Sequence, residues 1–192
     1  MVFIILKKVF KFLYTYVRIM KYKILSNSNN TVGSPILISP LITNGLGEIF
    51  FGKNVAIGVN SSPFFYETYS YIEARTIKSF VRIGDNVSIN NNATIVSEGE
   101  GISIGNDTLI GTNVFIADSD FHNLDPDLRL SNVIKTEKVT IGNNVFIGSN
   151  VSILKGVDIG NNSVIAYGSV VTKSIPSNVI AGGIPCKVIK KL

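Results

Sequence analysis

A six-residue period dominates the second half of this 192-residue sequence. Aliphatic residues occupy every sixth position of one long run, namely Ile141, Ile147, Ile153, Ile159, Ile165 and Val171. Six steps of about 100° place successive members on different faces of an α-helix, whereas the sixth residue of a strand returns to the same face. The period therefore excludes a helix and predicts β-structure.

Glycine and asparagine recur between the aliphatic positions. Glycine follows directly in Ile141-Gly142, Ile147-Gly148 and Ile159-Gly160. Asparagine stands three residues after an aliphatic position at five places: Asn86, Asn113, Asn144, Asn150 and Asn162. Both residue types tolerate left-handed backbone conformations, which tight corners need. Each hexapeptide is therefore predicted to be a short strand plus a corner, and stacked hexapeptides form a parallel β-helix.

Two shorter runs precede the long one, with aliphatic residues at 83, 89 and 95 and at 104, 110 and 116. Three segments break the spacing and are predicted to leave the coil: residues 62–79, 97–101 and 118–138. Binding and catalytic residues concentrate on such excursions, because the coil itself is a regular scaffold.

The first 47 residues carry six basic residues and no acidic one, whereas the rest of the chain is nearly neutral. We predict a basic amphipathic arm over residues 1–45 and a repeat domain over residues 46–192. An apolar stripe on the arm comprises Ile5, Val9, Phe12, Tyr16 and Ile19. It either docks on the body or a neighbouring subunit, which we favour, or lies on the inner face of a membrane through residues 1–25. Lys7, Lys8 and Lys11 interrupt it too early for a membrane span.

Composition excludes several classes of protein. A single cysteine cannot form a disulfide within the chain. One cysteine and one histidine are too few ligands for a Cys/His zinc centre, so no metal is expected. A hydratase that binds its metal through three histidines is excluded for the same reason. No nucleic-acid partner is expected, because basic residues are concentrated in the arm and do not follow a binding face.

Four segments together identify a resemblance that covers residues 46–192. They are INNNATIV (89–96), IADSDFHNLDPDLR (116–129), IGNNVFIGSNVSI (141–153) and IAYGSVVTKSIPSNVIAGGIPCKVI (165–189). In this order they resemble the hexapeptide-repeat acyltransferases, and most of all the sugar O-acetyltransferases. The resemblance implies an all-β fold, a left-handed parallel β-helix with an N-terminal α-helical arm and an excursion loop that carries a catalytic histidine.

The resemblance assigns His122, the only histidine, as the general base that takes a proton from an attacking hydroxyl. An unperturbed imidazole titrates near neutral pH, which suits that role. Asn92 and Arg129 match acceptor-site positions in the relatives, although Arg129 could instead pin its loop. Four aspartates surround the histidine, and sequence alone does not say which of them orients it: Asp118, Asp120, Asp125 and Asp127. Asp120 is also a substrate-binding candidate.

Acetyl-CoA is the acyl donor that the resemblance implies. The backbone amide of Ser149 is the candidate donor to the developing oxyanion. The coenzyme-binding candidates are Ser149, Ala166, Thr172, Lys173, Lys187 and Lys190. Cys186 is read as a packing residue. Relatives assemble as homotrimers with the site between subunits, so His122 of one subunit is expected to face the coenzyme rungs of another.

The sequence thus predicts an acetyl-CoA-dependent O-acetyltransferase of a sugar or glycan hydroxyl, in the biosynthesis of surface polysaccharide. The expected location is cytoplasmic or membrane-peripheral. Two alternatives stay open: N-acylation of an amino sugar or acetylation of an antibiotic, and an inert β-helix that serves as a scaffold. The aromatic residues of segment 62–79 are expected to pack between subunits, with sugar stacking as the other reading.

Overall fold

A computed structural model describes residues 2–131 and 133–192 of the chain. One helix, α1 (Val2–Leu25), is followed by twenty short strands and a 3-10 turn at Pro126–Leu128. The strands form three sheets, A, B and C, which the chain visits in that order during each turn of the coil.

Sheet A contains β1 (Thr31–Val32), β4 (Glu48–Phe51), β7 (Phe80–Ile83), β10 (Ile102–Ile104), β13 (Val139–Ile141) and β16 (Asp158–Ile159). Sheet B contains β2 (Ile36–Leu37), β5 (Ala56–Ile57), β8 (Ser88–Ile89), β11 (Leu109–Ile110), β14 (Phe146–Ile147), β17 (Val164–Ile165), β19 (Val179–Gly183) and β20 (Cys186–Lys191). Sheet C contains β3 (Leu41–Asn44), β6 (Ser70–Ala74), β9 (Thr94–Ser97), β12 (Phe115–Ala117), β15 (Ser152–Ile153) and β18 (Val170–Val171).

Every strand pair in these sheets is parallel except β19–β20, so the chain is a parallel β-helix as predicted. The periodic aliphatic residues pair in register and point inward. In sheet B, for example, Ile110 pairs with Ile89 on one side and with Ile147 on the other. Burying an isoleucine side chain contributes about 1.5–3 kcal/mol, so these stacks supply the main stabilisation of the coil.

The recurring asparagines form the corners where the chain passes from one sheet to the next. Asn144, Asn162 and Asn178 stack between sheets A and B with φ of 54° to 59°. Asn144 Nδ2 donates to Asn162 Oδ1, and Asn162 Nδ2 donates to Asn178 Oδ1, at 3.0 Å each. Asparagine therefore recurs because it accepts a left-handed backbone and also bonds its neighbour in the ladder.

The coil begins earlier than the sequence predicts. Strands β1 to β3, within residues 31–44, already pair with the second turn, although the predicted boundary lies at residue 46. These strands lack the six-residue spacing of aliphatic residues, so the spacing did not predict them. Segment 62–79 is likewise not one excursion, because its residues 70–74 form β6, with Ile72 and Ala74 buried in the core.

Helix α1 confirms the predicted helical arm, but the apolar stripe does not dock on the coil of its own chain. Ile5, Val9, Phe12 and Tyr16 are exposed, and Ile19 alone is half-buried. No helix among residues 2–131 and 133–192 has the length and apolar character needed to cross a bilayer.

Candidate active site

The loop that carries His122 leaves the coil after β12 and returns at β13, at the edge between sheets C and A. We name this edge, with its stacked corners, the C–A edge. The two legs of the loop pair like a hairpin: Glu137 N donates to Asp118 O at 2.8 Å, and Asp120 N donates to Lys135 O at 3.2 Å. The loop therefore has a structured base and a protruding tip.

Asp118 is a buried carboxylate at the start of this loop. It accepts four hydrogen bonds: from Glu98 N and Gly101 N at 2.7 Å each, from Gly99 N at 3.2 Å, and from the Ser97 hydroxyl at 2.7 Å. The 97–101 corner thus wraps around one side chain. Asp118 is a structural anchor, because both carboxylate oxygens are occupied by residues of the preceding turn.

Ion pairs hold the second leg of the loop, which returns to β13. Lys155 Nζ lies 3.3 Å from Asp120 Oδ2 and 3.4 Å from Glu137 Oε1, and Lys135 lies 2.7 Å from the same Glu137 oxygen. The hydrogen bond with Lys135 lowers the pKa of Glu137, so this side chain is ionised at neutral pH. Asp120 Oδ2 is buried and accepts no hydrogen bond within the described residues, so its contact with Lys155 is ionic. This contact explains the position of Asp120 without a substrate.

Phe121, directly before His122, is held in a left-handed conformation with φ of 61°. Its amide donates to Ser119 Oγ at 2.9 Å, and that hydroxyl donates to Glu98 at 2.9 Å. The guanidinium of Arg75 lies 5.2 Å from the Phe121 ring and pairs with Glu98 at 3.4 Å. A bulky residue rarely adopts this backbone, and the surrounding contacts fix the turn that delivers His122.

Sequence reasoning missed these supporting residues. Arg75 and Glu98 lie outside the four quoted segments, and Ser119 lies in the segment 116–129 without a role that its position predicts. Arg75 also pairs with the nearly buried Glu73 at 3.0 Å, and the hydrogen bond with Glu73 is the main reason that the pKa of Arg75 is raised. Only the stacking of the turns brings these charges together.

His122 itself is exposed and forms no hydrogen bond within the described part of the chain. No aspartate side chain bonds His122 within the described residues: Asp118 and Asp120 contact other groups, and Asp125 accepts a hydrogen bond from the Asp127 amide at 3.0 Å. Arg129 is exposed and donates to Leu124 O at 3.3 Å, which fits the reading in which it pins its loop.

Asn92 lies at the edge between sheets B and C, which we name the B–C edge. Its φ is 63°, and its amide begins a ladder that runs through Asn113 and Asn150 to the hydroxyl of Tyr167. It also lines a groove with Glu67, Thr68, Tyr69, Tyr71 and Thr94. Asn92 is thus a corner residue that borders open space.

The neighbouring Asn91 has a different role. It is buried, accepts from Val59 N at 3.2 Å and donates to Val59 O and Pro63 O at 3.0 Å each. It therefore anchors the protruding segment 58–69, and with it the tyrosines that line the groove.

Ser149 also lies on the B–C edge, one turn before Tyr167. At two corners of this edge a side chain of the next turn accepts the corner amide: Val59 N donates to Asn91 Oδ1 at 3.2 Å and Thr112 N donates to Ser149 Oγ at 3.1 Å. At the corner between them, Asn91 N donates to Asn90 Oδ1 at 2.8 Å. Tyr167 occupies the corresponding position one turn after Ser149. Its only side-chain oxygen is at the far end of the ring, so it cannot accept a hydrogen bond from Ser149 N. Among residues 2–131 and 133–192 the Ser149 amide has no partner.

The predicted coenzyme-binding residues lie on both edges and on the C-terminal strand β20. Ala166 lies one turn after Ser149 along the B–C edge, and a Cβ atom added at Gly168, two residues later, would meet no atom within 4 Å. Lys187 is exposed on β20 and pairs in register with Gly182, whose own added Cβ would lie 2.9 Å from the Ala166 Cβ. Ala166 and Lys187 therefore lie at the same end of the coil.

The remaining candidates lie elsewhere. Lys190 is exposed farther along β20, opposite Ile180. Thr172 and Lys173 are exposed on the C–A edge, after β18. Cys186 is buried, and burial raises the pKa of its thiol, as expected for a packing residue.

Within one chain, sheet C separates the His122 loop from the corner that carries Asn92, Ser149 and Ala166. A single copy therefore does not bring the predicted base and the predicted oxyanion donor together. It presents them on two edges of the same coil.

The comparisons with known proteins match this coil. Residues 138–173 match the family model "Bacterial transferase hexapeptide (six repeats)", and residues 80–117 match "Hexapeptide repeat of succinyl-transferase". A hexapeptide-repeat acetyltransferase of Vibrio cholerae, solved with acetyl coenzyme A, has 32% identity and a TM-score of 0.58, over 74% of this chain and 70% of its own.

Curated proteins that are similar in sequence are also named as acetyltransferases. "Putative lipopolysaccharide biosynthesis O-acetyl transferase WbbJ" of Escherichia coli K12 is 34% identical over 167 residues, which cover 81% of this chain and 78% of that protein. Galactoside O-acetyltransferase of the same strain is 46% identical over 114 residues, 59% of this chain and 55% of that protein. The chain thus spans about half the length of the first curated relatives it matches. It belongs to the hexapeptide-repeat acetyltransferase family.

The four hydrogen bonds to Asp118 predict a large effect of Asp118→Asn. An amide has one acceptor oxygen, so at least one bond is lost and an NH₂ group faces a backbone N–H. We expect a loss of about 2 kcal/mol, which lowers the melting temperature by roughly 4–8 °C. Differential scanning calorimetry measures the shift, with the exposed Asp127→Asn as control. Equal melting temperatures for both variants would contradict the anchoring role.

Proposed function

We propose that this chain is an acetyl-CoA-dependent O-acetyltransferase that modifies a sugar hydroxyl during the biosynthesis of surface polysaccharide. The observation that carries the proposal is an exposed imidazole on a loop whose base is tied to the coil by Asp118 and Lys155. An exposed side chain on a fixed base suits a residue that must meet an incoming hydroxyl. Family membership and the likeness to WbbJ support the reaction and the role.

In the proposed mechanism acetyl-CoA supplies the acetyl group as a thioester. His122 accepts the proton of the sugar hydroxyl while the hydroxyl oxygen attacks the thioester carbonyl carbon. The carbon–sulfur bond then breaks, the acetyl group stays on the sugar oxygen, and the imidazolium returns its proton to the coenzyme thiolate. The amide of Ser149 donates to the carbonyl oxygen as negative charge develops there.

The proposed site needs a second copy of the chain. Sheet B has an outward row of apolar residues, Leu109, Phe146, Val164 and Ile180, of which Leu109 and Phe146 are about half exposed. The corresponding row of sheet A is largely polar, with Arg82, Ser103, Thr140 and Asp158. We infer that the B–C edge faces a neighbouring copy in a homotrimer and meets its His122 loop.

The groove beside Asn92 is proposed to receive the sugar. Tyr69 and Tyr71 offer ring faces for stacking, and Asn92 and Glu67 offer polar groups for hydroxyls. This differs from the sequence-based preference for aromatic packing, because these two tyrosines border open space. On the coenzyme side, we propose that Ala166 of one copy borders the donor together with Thr172 and Lys173 of the copy that supplies His122, and that Lys187 and Lys190 pair with its phosphates.

Substitution of the only histidine tests the base directly. His122→Ala is expected to lower kcat for acetyl transfer by about 10²- to 10⁴-fold, because general base catalysis contributes that much, while acetyl-CoA binding stays intact. Coenzyme release is measured with a panel of glycans and amino sugars, beside isothermal titration with acetyl-CoA. The exposed neighbour Leu124→Ala is the matched control and should keep full activity. Undiminished kcat in the His122→Ala protein would refute the proposed role.

Two variants of Tyr167 test whether the Ser149 amide is the oxyanion donor. A serine at this position would present its hydroxyl to Ser149 N, as Ser149 itself does to Thr112 N, whereas an alanine would not. Tyr167→Ser is therefore expected to have a kcat at least about tenfold below that of Tyr167→Ala, since one oxyanion donor is worth more than this. Steady-state kinetics at saturating acetyl-CoA give the ratio. Equal kcat values would show that this amide does not take part.

A further inference from the structure

Helix α1 docks on the coil through its polar side. The Arg18 guanidinium donates to Phe65 O at 2.6 Å and also to Thr68 O. The Tyr14 hydroxyl donates to Tyr66 O at 3.2 Å. The ring of Tyr22 stacks on that of Tyr69 at 4.6 Å. These contacts with segment 58–69 fix the rotation of the helix about its own axis.

This rotation turns the apolar side of the helix outward. At 100° per residue, the side opposite Arg18 carries one set of apolar side chains, which we name the outer face. The outer face comprises Ile5, Val9, Phe12, Leu13, Tyr16 and Val17, which are 49% to 68% exposed. An amphipathic helix ordinarily buries this side against its own domain. Here these side chains stay exposed within the described part of the chain, because the opposite side of the helix is the docked one.

The charge of helix α1 indicates which kind of partner binds the outer face. The helix carries five lysines and one arginine and no acidic residue. At 100° per residue, Lys7, Lys11 and Lys21 lie within about 60° of Arg18, on the side of the helix opposite the outer face. Helices with lysines on one side and apolar residues on the other lie in the interface of anionic membranes. An anionic lipid surface accepts apolar side chains and also attracts lysines.

The length of the helix fits the plane of a bilayer. Its 24 residues extend about 36 Å at 1.5 Å per residue, and three of its first eleven residues are lysines. Apolar side chains along the whole outer face could enter the headgroup region together. A helix of this kind lies in the interface and does not cross the membrane.

We propose that the outer face of α1 is a membrane-docking surface for anionic lipids, with the polar side of the helix joined to the coil. The docked contacts and the membrane contact then coexist, since they use opposite sides of one helix. The inference stands independently of acetyl transfer, because it concerns binding alone.

The absence of tryptophan from the sequence gives a clean probe. Phe12→Trp places one indole on the outer face of the full-length protein. Its emission is expected to shift to shorter wavelength with phosphatidylcholine vesicles that contain phosphatidylglycerol, and to remain unshifted with phosphatidylcholine alone. The control Ile77→Trp, at an exposed position of the coil, should not respond to either vesicle.

A sedimentation assay with the same vesicles provides the second measurement. Leu13→Glu combined with Val17→Glu is expected to weaken binding about tenfold or more, because two apolar anchors become acidic. Ile77→Glu should bind like the unmodified protein, and circular dichroism checks that each variant is folded. Equal binding by the double variant would overturn the proposal. So would an indole emission already shifted without vesicles, since another copy would then cover the outer face.

Discussion

The inward stacking of aliphatic side chains is the constraint on which the rest of this molecule depends. Each turn must place one such residue in each of three sheets, in register with the turns above and below. Little freedom is left in the strands, which are mostly two to five residues long. Variation is therefore confined to corners and edges, and every candidate functional residue lies there except Tyr71 in β6 and those of the C-terminal strand.

The C–A edge and the B–C edge carry different kinds of polar group, because different residues occupy their corners. At the C–A edge, Asp118 occupies a position where backbone amides converge, and Lys155 meets two carboxylates of the emerging loop. These contacts give a long excursion a firm base. At the B–C edge the corners after segment 58–69 are tight, and the notable feature is a missing acceptor opposite Ser149. One edge thus carries an exposed imidazole on a fixed base, and the other carries a backbone amide without a partner among the described residues.

Much of this architecture could be predicted from the sequence because periodicity encodes it directly. The six-residue spacing predicted the coil, and the recurring asparagines predicted the corners. The first turn and β6 were missed, because their buried residues, such as Leu41 and Ile72, do not follow the spacing. Handedness stays a prediction, since it came from the resemblance alone.

The site was less predictable, because its supporting contacts join different turns. A motif can point to His122, but it cannot reveal that Arg75 and Glu98 hold the preceding turn. Asp120 illustrates the same limit, since its partner Lys155 comes from the next turn of the coil. The free amide of Ser149 depends on what residue 167 lacks, and no pattern in the sequence marks such an absence.

Mixed assemblies test most directly whether the site is completed between copies. His122→Ala chains and Tyr167→Ser chains, carrying different tags, are co-expressed and purified through both tags. In any mixed trimer one site combines an intact His122 with an intact Ser149 corner, so activity should return to about one third of the unmodified level. Mixed assemblies no more active than their parents would contradict a site shared between subunits.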